Sequence, residues 1–198
     1  MRLAIFGGTF DPIHNAHLAM ARMAASRFSL DRVLFVAAAR PPHKRGATHA
    51  SYEDRARMIE LAIAGEQRFQ LSRLEEFTER SYSIDTIAKV RAGMGPDDEL
   101  FFLIGADAFA EIRTWHRWRD VAESVHFLVI SRPGATYEVP EVVVCDRIED
   151  VSMPESSSEI RRVLACGGRP GGLPASVLRY ATEHGLYRGR SEELEARS

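Results

Sequence analysis

Residues 2–17 of the chain read RLAIFGGTFDPIHNAH, and this stretch carries the strongest signal for the architecture. The apolar run at 2–6 is typical of a buried strand, and the two glycines that follow it indicate a loop. Residues 17–28 (HLAMARMAASRF) have helical composition, with apolar positions on one side. A strand, a glycine loop and a helix in this order predict the first unit of a parallel α/β sheet. In such sheets ligands bind beyond the carboxyl ends of the strands.

The remainder of the chain continues this alternation of short apolar runs and amphipathic stretches. We predict further strands at 33–37, 100–104, 127–130 and 142–145, and helices at 51–64, 83–94, 158–165 and 174–184. The pattern indicates an α/β fold built on a mostly parallel sheet, followed by a C-terminal helical part at about 152–187. Nothing between these segments resembles a linker, so we predict one domain over 1–187 and a frayed tail at 188–198.

Composition excludes several classes of protein. The chain has 198 residues, 45% of them hydrophobic, and a net charge of −2, which is ordinary globular usage rather than that of a disordered or fibrous protein. A near-neutral balance argues against a nucleic-acid partner, and no stretch approaches the roughly 18 apolar residues of a membrane span. Cys145 and Cys166 form no CxxC pair, so we expect a reducing, cytoplasmic location. The sequence does not fix the oligomeric state, and a homo-oligomer stays open.

The glycine loop and the two histidines after it point to phosphate binding. A glycine pair lets backbone N–H groups approach an anion, and the following helix presents its positive end to the same place. His14 and His17 are three residues apart and would share one helix face, from which two imidazoles can donate to phosphoryl oxygens. The loop is neither a Walker A nor a GxGxxG sequence, which disfavours an NTP hydrolase and a dinucleotide dehydrogenase. Zinc ligation by the two histidines is an alternative, although no recognisable set of further ligands accompanies them.

Eight ordered blocks then resemble a known family. They are GGTFDPIH with a histidine three residues on, PPHK, SYSIDT, GAD, TW, SRPG, SSSEIR, and LP followed by HGLY, between residues 4 and 187. In this order they resemble the bacterial nicotinate-nucleotide adenylyltransferases, members of the HxGH nucleotidyltransferase superfamily. The resemblance implies a Rossmann-like, doubly wound fold with helices on both faces. It also implies transfer of AMP from ATP to nicotinate mononucleotide, giving deamido-NAD and pyrophosphate, with Mg²⁺ carried by ATP.

The resemblance also implies roles for particular residues. Catalysis would fall to His14, His17, Lys44 and Arg161. ATP binding would fall to Gly7, Gly8, Thr9, Phe10, Gly105, Asp107, Ser156, Ser158 and Ile160. Binding of nicotinate mononucleotide would fall to Lys44, Thr86, Trp115 and Arg132, with backbone N–H groups near Thr86 and Trp115 receiving the nicotinate carboxylate. No protein side chain is expected to hold the metal.

The residues alone leave other interpretations open. Serines at 156–158 are typical of a helix cap. Lys44 could equally be a solvated surface charge, and Trp115 could be a core residue. Ala16 stands where the family motif has glycine, which is tolerable if that residue is helical. Alternative functions are an adenylyltransferase that prefers nicotinamide mononucleotide or another phosphorylated acceptor, and a non-catalytic nucleotide-binding protein on the same fold. The reaction itself requires no protein nucleophile, because the attacking phosphate oxygen is already anionic.

Overall fold

Six parallel strands form one sheet in the computed structural model, which describes residues 1–40, 48–131, 136–149 and 156–189. The strands are β1 (Arg2–Gly8), β2 (Arg32–Ala37), β3 (Phe69–Ser72), β4 (Glu99–Gly105), β5 (His126–Ile130) and β6 (Cys145–Ile148). Their order across the sheet is β3-β2-β1-β4-β5-β6. At the centre, Ile5 of β1 pairs with Leu34 of β2 on one side and Phe102 of β4 on the other. The order reverses between β1 and β4, which is the switch point where doubly wound sheets bind ligands.

Helices cover both faces of the sheet. They are α1 (Asn15–Arg27), α2 (Tyr52–Ile63), α3 (Ser83–Arg91), α4 (Ala106–Ala110), α5 (Trp118–Ser124), α6 (Ser157–Ala165) and α7 (Ala175–Glu183), with a 3₁₀ turn at Ile112–Thr114. One core contains side chains of α1, α2 and α7, among them Leu18, Ile59 and Val177. The other contains side chains of α3, α4 and α5. The predicted α/β fold with helices on both faces is confirmed.

The central strands carry continuous apolar runs, as expected for strands that are buried on both faces. Residues 3–6 of β1 and 100–104 of β4 are buried without a break, as the continuous apolar runs predict. Two local signals are also confirmed. The Ser51 hydroxyl accepts a hydrogen bond from the Asp54 N–H and caps α2, and Gly185 adopts a φ of +62° just after α7.

Other elements differ from the sequence prediction. The last strand begins at Cys145 rather than at 142, since the Val143 N–H donates to Pro140 in a turn that leaves Val142 and Val144 exposed. Strand β3 was not predicted because it is a four-residue edge strand, FQLS, with little apolar pattern. Helices α4 and α5 are too short to carry a helical period. Within the described ranges, no helix has the length and apolarity needed to cross a membrane.

Candidate active site

His14 and His17 lie together at the start of α1. His14 is the N-cap and His17 is the third residue of the helix, and their ring centroids are 3.7 Å apart with the planes tilted by 31°. The prediction that they share one face is confirmed. The backbone N–H of His14 donates to Nδ1 of His17 over 3.2 Å. Neutral His17 therefore has its proton on Nε2, the form in which that nitrogen is a donor.

Burial keeps His14 neutral. Only 5% of the surface of His14 is exposed, and the loss of solvation lowers the pKa of its imidazole to about 4. Its Nδ1 atom is buried and has no hydrogen-bond partner among the described residues. A buried polar atom left without a partner is uncommon and is typical of a place where a ligand or water binds. We name His14 and His17 the histidine pair.

Packing also explains why glycine stands at positions 7 and 8, in addition to the access that glycine gives to an anion. A Cβ atom on Gly8 would lie 3.0 Å from the ring of Phe10, closer than the ring allows, and one on Gly7 would touch Phe102. Phe10 itself has a φ of 49°, and its ring centroid is 5.0 Å from that of His17. The second glycine thus allows Phe10 to fold back on the loop and support the histidine pair.

A cavity of about 230 Å³ lies at the carboxyl ends of the central strands. We name it the strand-end cavity. Its walls include Gly7, Gly8 and Thr9 from the end of β1, with Thr86 of α3 and Trp115. Segments separated by more than a hundred residues therefore meet as the resemblance implies.

Two of these lining side chains are held in place by neighbours. The Thr86 hydroxyl donates to Glu75 Oε1 over 2.5 Å, and both residues are buried. The Trp115 ring meets Phe102 edge to face, with centroids 5.8 Å apart. The backbone N–H groups of Thr86 and Trp115 donate to Tyr82 and Ile112, so these two groups are not available to a ligand carboxylate.

The first turn of α6 is joined to the loop before the histidine pair. An Arg161 guanidinium N–H donates to the carbonyl oxygen of Asp11 over 2.6 Å, and the Ser157 hydroxyl donates to that of Pro12 over 3.0 Å. Ser156 caps the helix, since its hydroxyl accepts from the Glu159 N–H. The expected approach of this distant segment to the glycine loop is confirmed as a placement, and ligand contact by its side chains stays a prediction.

A basic cleft of about 620 Å³ extends from Arg161. Arg162, Arg188, His49 and Ser158 also line it. Arg162 is paired with Glu159 over 2.5 Å, and Arg161 and Arg188 add two further guanidinium groups whose charge favours a polyanion in this cleft. Ser158 is exposed there, and its hydroxyl accepts a 3.5 Å hydrogen bond from Arg161.

Asp11 connects the loop to two other parts of the chain, a role that sequence reasoning missed. Asp11 is 3% exposed, and its carboxylate accepts hydrogen bonds from the N–H groups of His49 and Ala50 at 2.8 and 3.1 Å. It also accepts from the Tyr187 hydroxyl at 2.8 Å. Burial, followed by the Asp11 charge, raises the pKa of Tyr187 well above its usual range. The hydroxyl thus remains a donor to this carboxylate.

Arg55 is the second residue that sequence reasoning missed. It is completely buried in α2, and one guanidinium nitrogen donates to the carbonyl oxygens of Thr9 and Ala38 at 2.7 and 2.9 Å. These carbonyls follow the ends of β1 and β2, so Arg55 fixes the rim of the strand-end cavity. Burial lowers the pKa of Arg55, and the charge of Asp11 opposes the shift. The signal in the sequence is an arginine one turn before Ile59, on the apolar side of the helix.

The remaining predicted residues are placed less directly. Gly105 caps α4, and Asp107 is exposed in the first turn of that helix. Ile160 is buried and its N–H donates to the Ser156 carbonyl oxygen, and its part in binding ATP stays a prediction. Ala16 is helical and buried, as the motif departure requires. Lys44 and Arg132 lie outside the described residues.

The described residues contain no group of three or more histidine, cysteine, aspartate or glutamate side chains that could hold a metal ion. Mg²⁺ commonly binds through one or two carboxylates together with water and substrate phosphates, rather than in a cage of protein ligands.

The strand order, the histidine pair at a helix N-terminus and the arginine of α6 on the same loop define a nucleotidyltransferase of the Rossmann-like class. The chain belongs to the cytidylyltransferase-like family, whose model matches residues 5–163, and within it to the nicotinate-nucleotide adenylyltransferases. A relative named probable nicotinate-nucleotide adenylyltransferase from Solibacter usitatus is 67% identical, covering 94% of this chain and 100% of its own. A relative of the same name from Thermus thermophilus is 44% identical, covering 95% and 100%.

Solved structures show the same fold at low identity. Nicotinic acid mononucleotide adenylyltransferase of Plasmodium falciparum, complexed with NaAD, superimposes with a TM-score of 0.77 at 20% identity. The match covers 94% of this chain and 97% of that one. A second structure of the Plasmodium protein, complexed with APC, gives a TM-score of 0.74 at 19% identity and covers 94% and 96%.

Proposed function

We propose that the protein transfers the adenylyl group of ATP to nicotinate mononucleotide, producing deamido-NAD and pyrophosphate in NAD biosynthesis. The observation that supports this most directly is the loop of residues 7–14, which borders the strand-end cavity at Gly7, Gly8 and Thr9 and leads into the histidine pair at the start of α1. A mononucleotide with its ring in the cavity and its phosphate on the loop would meet ATP phosphates beside the histidines. The names of the curated relatives support the same reaction.

In the proposed reaction a phosphate oxygen of the mononucleotide attacks the α-phosphorus of ATP. A new P–O bond forms, and the bond from the α-phosphorus to the oxygen bridging to the β-phosphate breaks. That oxygen and its electron pair leave with pyrophosphate. Because the nucleophile is already anionic, catalysis consists of positioning two polyanions and stabilising the charge that develops.

The described residues suit this task. Nε2–H of His17 is a donor toward a phosphoryl oxygen, and the buried His14 adds a neutral imidazole that does not have to lose a proton. Arg161 and the basic cleft would hold the β- and γ-phosphates, and Trp115 would stack on the pyridine ring. The roles of Lys44 in phosphate binding and of Arg132 in mononucleotide binding rest on the family resemblance. Mg²⁺ would accompany the triphosphate and neutralise part of its charge. We further expect the enzyme to act in the cytoplasm, where its free thiols stay reduced.

Pyrophosphate release by the purified protein with ATP and Mg²⁺ tests the proposal. Nicotinate mononucleotide and nicotinamide mononucleotide are supplied in parallel reactions, and the dinucleotide products are identified by mass. We expect deamido-NAD to form with the higher kcat/KM. Folded protein that binds ATP but forms neither dinucleotide would support the non-catalytic alternative. A higher kcat/KM for nicotinamide mononucleotide would assign the amide as the preferred acceptor.

A further inference from the structure

We propose that the imidazole of His116 determines specificity, and that in its protonated form it favours the carboxylate-bearing mononucleotide over the amide. The inference rests on the proposed function, because it concerns which pyridine ring the strand-end cavity accepts. Its consequence is a selectivity for the acid that rises as the pH falls.

The charged side chains that line the strand-end cavity are the first basis for this inference. Among the described residues that line it, His116 is the one whose side chain can be positively charged. Glu75 and Glu111 also line the cavity and are acidic. A pyridine carboxylate entering a cavity that contains two carboxylates is repelled unless a cation is also present. The amide carries no charge and meets no such repulsion.

The hydrogen-bond donors of Thr86 and Trp115, which line the same cavity, are the second basis. The Thr86 hydroxyl donates its proton to Glu75, and the backbone N–H groups of Thr86 and Trp115 already donate within the protein. These groups therefore offer no proton to a ligand carboxylate in this arrangement. Ser81 and Ser83 also line the cavity, but their hydroxyl groups are uncharged. The exposed side chain of His116, next to Trp115 in the chain, is the described lining group that can supply a donor together with a positive charge.

A stacking contact fixes the imidazole at this place. The rings of His116 and Tyr82 are stacked, with centroids 4.4 Å apart and planes 30° apart. Tyr82 is the N-cap of α3 and lines the same cavity, so the stack joins two of its walls. The electron-rich face of a tyrosine ring attracts a cation, which makes the stack compatible with an imidazolium.

Other charged groups around the stack do not replace His116. Arg80 donates to the Tyr82 hydroxyl over 3.0 Å but does not line the cavity. Arg117, the next residue, forms a 2.5 Å ion pair with Asp120. Because His116 is exposed, solvent screens its charge, and we expect a change in selectivity of about 2- to 5-fold, the range for exposed ion pairs.

The ratio of kcat/KM for the acid to that for the amide, measured from pH 5.5 to pH 8.5, tests the inference. Both mononucleotides carry the same phosphate and meet the same phosphate-binding residues, so pH effects on those groups cancel in the ratio. The nicotinate carboxylate stays ionised over this range, since ordinary carboxyl groups titrate near pH 4. We expect the ratio for the unmodified protein to rise about 2- to 5-fold as the pH falls.

Three variants sharpen the test. In His116→Phe, which keeps a ring against Tyr82, we expect a lower ratio that does not change with pH. In His116→Lys we expect a raised ratio that stays constant. The control is His184→Phe, because His184 is stacked on Tyr180 with the same 30° angle and a 4.1 Å separation but does not line the cavity. It should keep the pH dependence of the unmodified protein.

The failures are distinguishable. Turnover of both mononucleotides with a ratio that does not respond to pH, or that responds equally in His116→Phe, would overturn the inference and leave the proposed function intact. Absence of turnover would overturn the proposed function. Binding of the two mononucleotides, measured by calorimetry at pH 6 and pH 8, then decides the inference by the same ratio without catalysis.

Discussion

The hydroxyl of Tyr187 donates to the carboxylate of Asp11 over 2.8 Å, joining residues 176 positions apart in the chain. Asp11 precedes the histidine pair by three residues, and its carbonyl oxygen accepts from Arg161. The segment after α7 therefore holds the glycine loop in place. The buried carboxylate therefore joins three parts of the site, namely the loop, the segment just before α2 and the C-terminal turn, while α6 is joined to the Asp11 carbonyl.

Replacing Tyr187 with phenylalanine tests this connection. The variant keeps the ring and removes one of the three donors to a buried carboxylate, so we expect a loss of about 1–3 kcal/mol in the free energy of unfolding. Displacement of the loop should also lower kcat/KM several-fold. Tyr180→Phe is the matched control, since it removes a 3.0 Å hydrogen bond to the less buried Asp54. Equal losses of activity in the two variants would contradict the role of Asp11.

The histidine pair should be essential for rate. We expect His17→Ala to lose at least about 100-fold in kcat/KM, because removal of one donor to the transition state usually costs that much. Steady-state kinetics measure the change, and thermal unfolding checks that the variant is folded. His184→Ala, changed at an exposed histidine outside the site, should keep its activity. A near-normal rate for folded His17→Ala would remove His17 from the mechanism.

Burial of His14 predicts a dependence of stability on pH. Its pKa is about 4 in the folded protein and near 6.5 when unfolded, so below pH 6.5 the unfolded chain binds the proton and unfolding is favoured. Between pH 7 and pH 5 this should lower the free energy of unfolding by about 2 kcal/mol. Urea denaturation of the unmodified protein and of His14→Asn, which does not titrate, isolates the effect. The same pH dependence in both proteins would show that His14 is not the group responsible.

Arg55 should set the geometry of the cavity rim. Arg55→Met leaves the carbonyls of Thr9 and Ala38 buried without their donor, and we expect a loss of about 2–4 kcal/mol in the free energy of unfolding. Because Thr9 and Ala38 line the cavity, the KM for the mononucleotide should rise more than kcat falls. Arg57→Met, at an exposed arginine paired with Glu60 at 3.0 Å, should cost less than about 1 kcal/mol and leave KM unchanged. An unchanged KM in folded Arg55→Met would contradict this positioning role.

Gly8 should not tolerate a side chain. In Gly8→Ala the new methyl group would lie 3.0 Å from the Phe10 ring, so the ring must move away from its place beside His17. We expect a cost of about 1–3 kcal/mol in stability and a lower kcat. Gly65→Ala is the control, since nothing lies within 4 Å of the added atom. Equal stability and activity in the two variants would mean that the Phe10 contact is unimportant.

The elements predicted correctly are those with a strong local signal. The continuous apolar runs of β1 and β4 and the cap at Ser51 follow from neighbouring residues alone. Strand β3 and helix α5 gave little signal because they are short, and β6 was displaced by the turn at Pro140. For the site, the spacing of His14 and His17 predicted their shared face, and the family resemblance supplied the approach of Arg161 and Trp115.

The alternation of strands and helices, the glycine loop and the shared face of the histidine pair follow from the sequence alone, because they depend on residues within one or two turns of each other. The hydrogen bond from Tyr187 to Asp11, the bonds from Arg55 to the ends of two strands and the stack of His116 on Tyr82 became visible only in the folded chain. These contacts exist because the sheet brings distant segments to one edge. Whether a polar side chain is solvated or buried against a partner depends on which distant segments come together at that edge. A local sequence pattern does not contain this information.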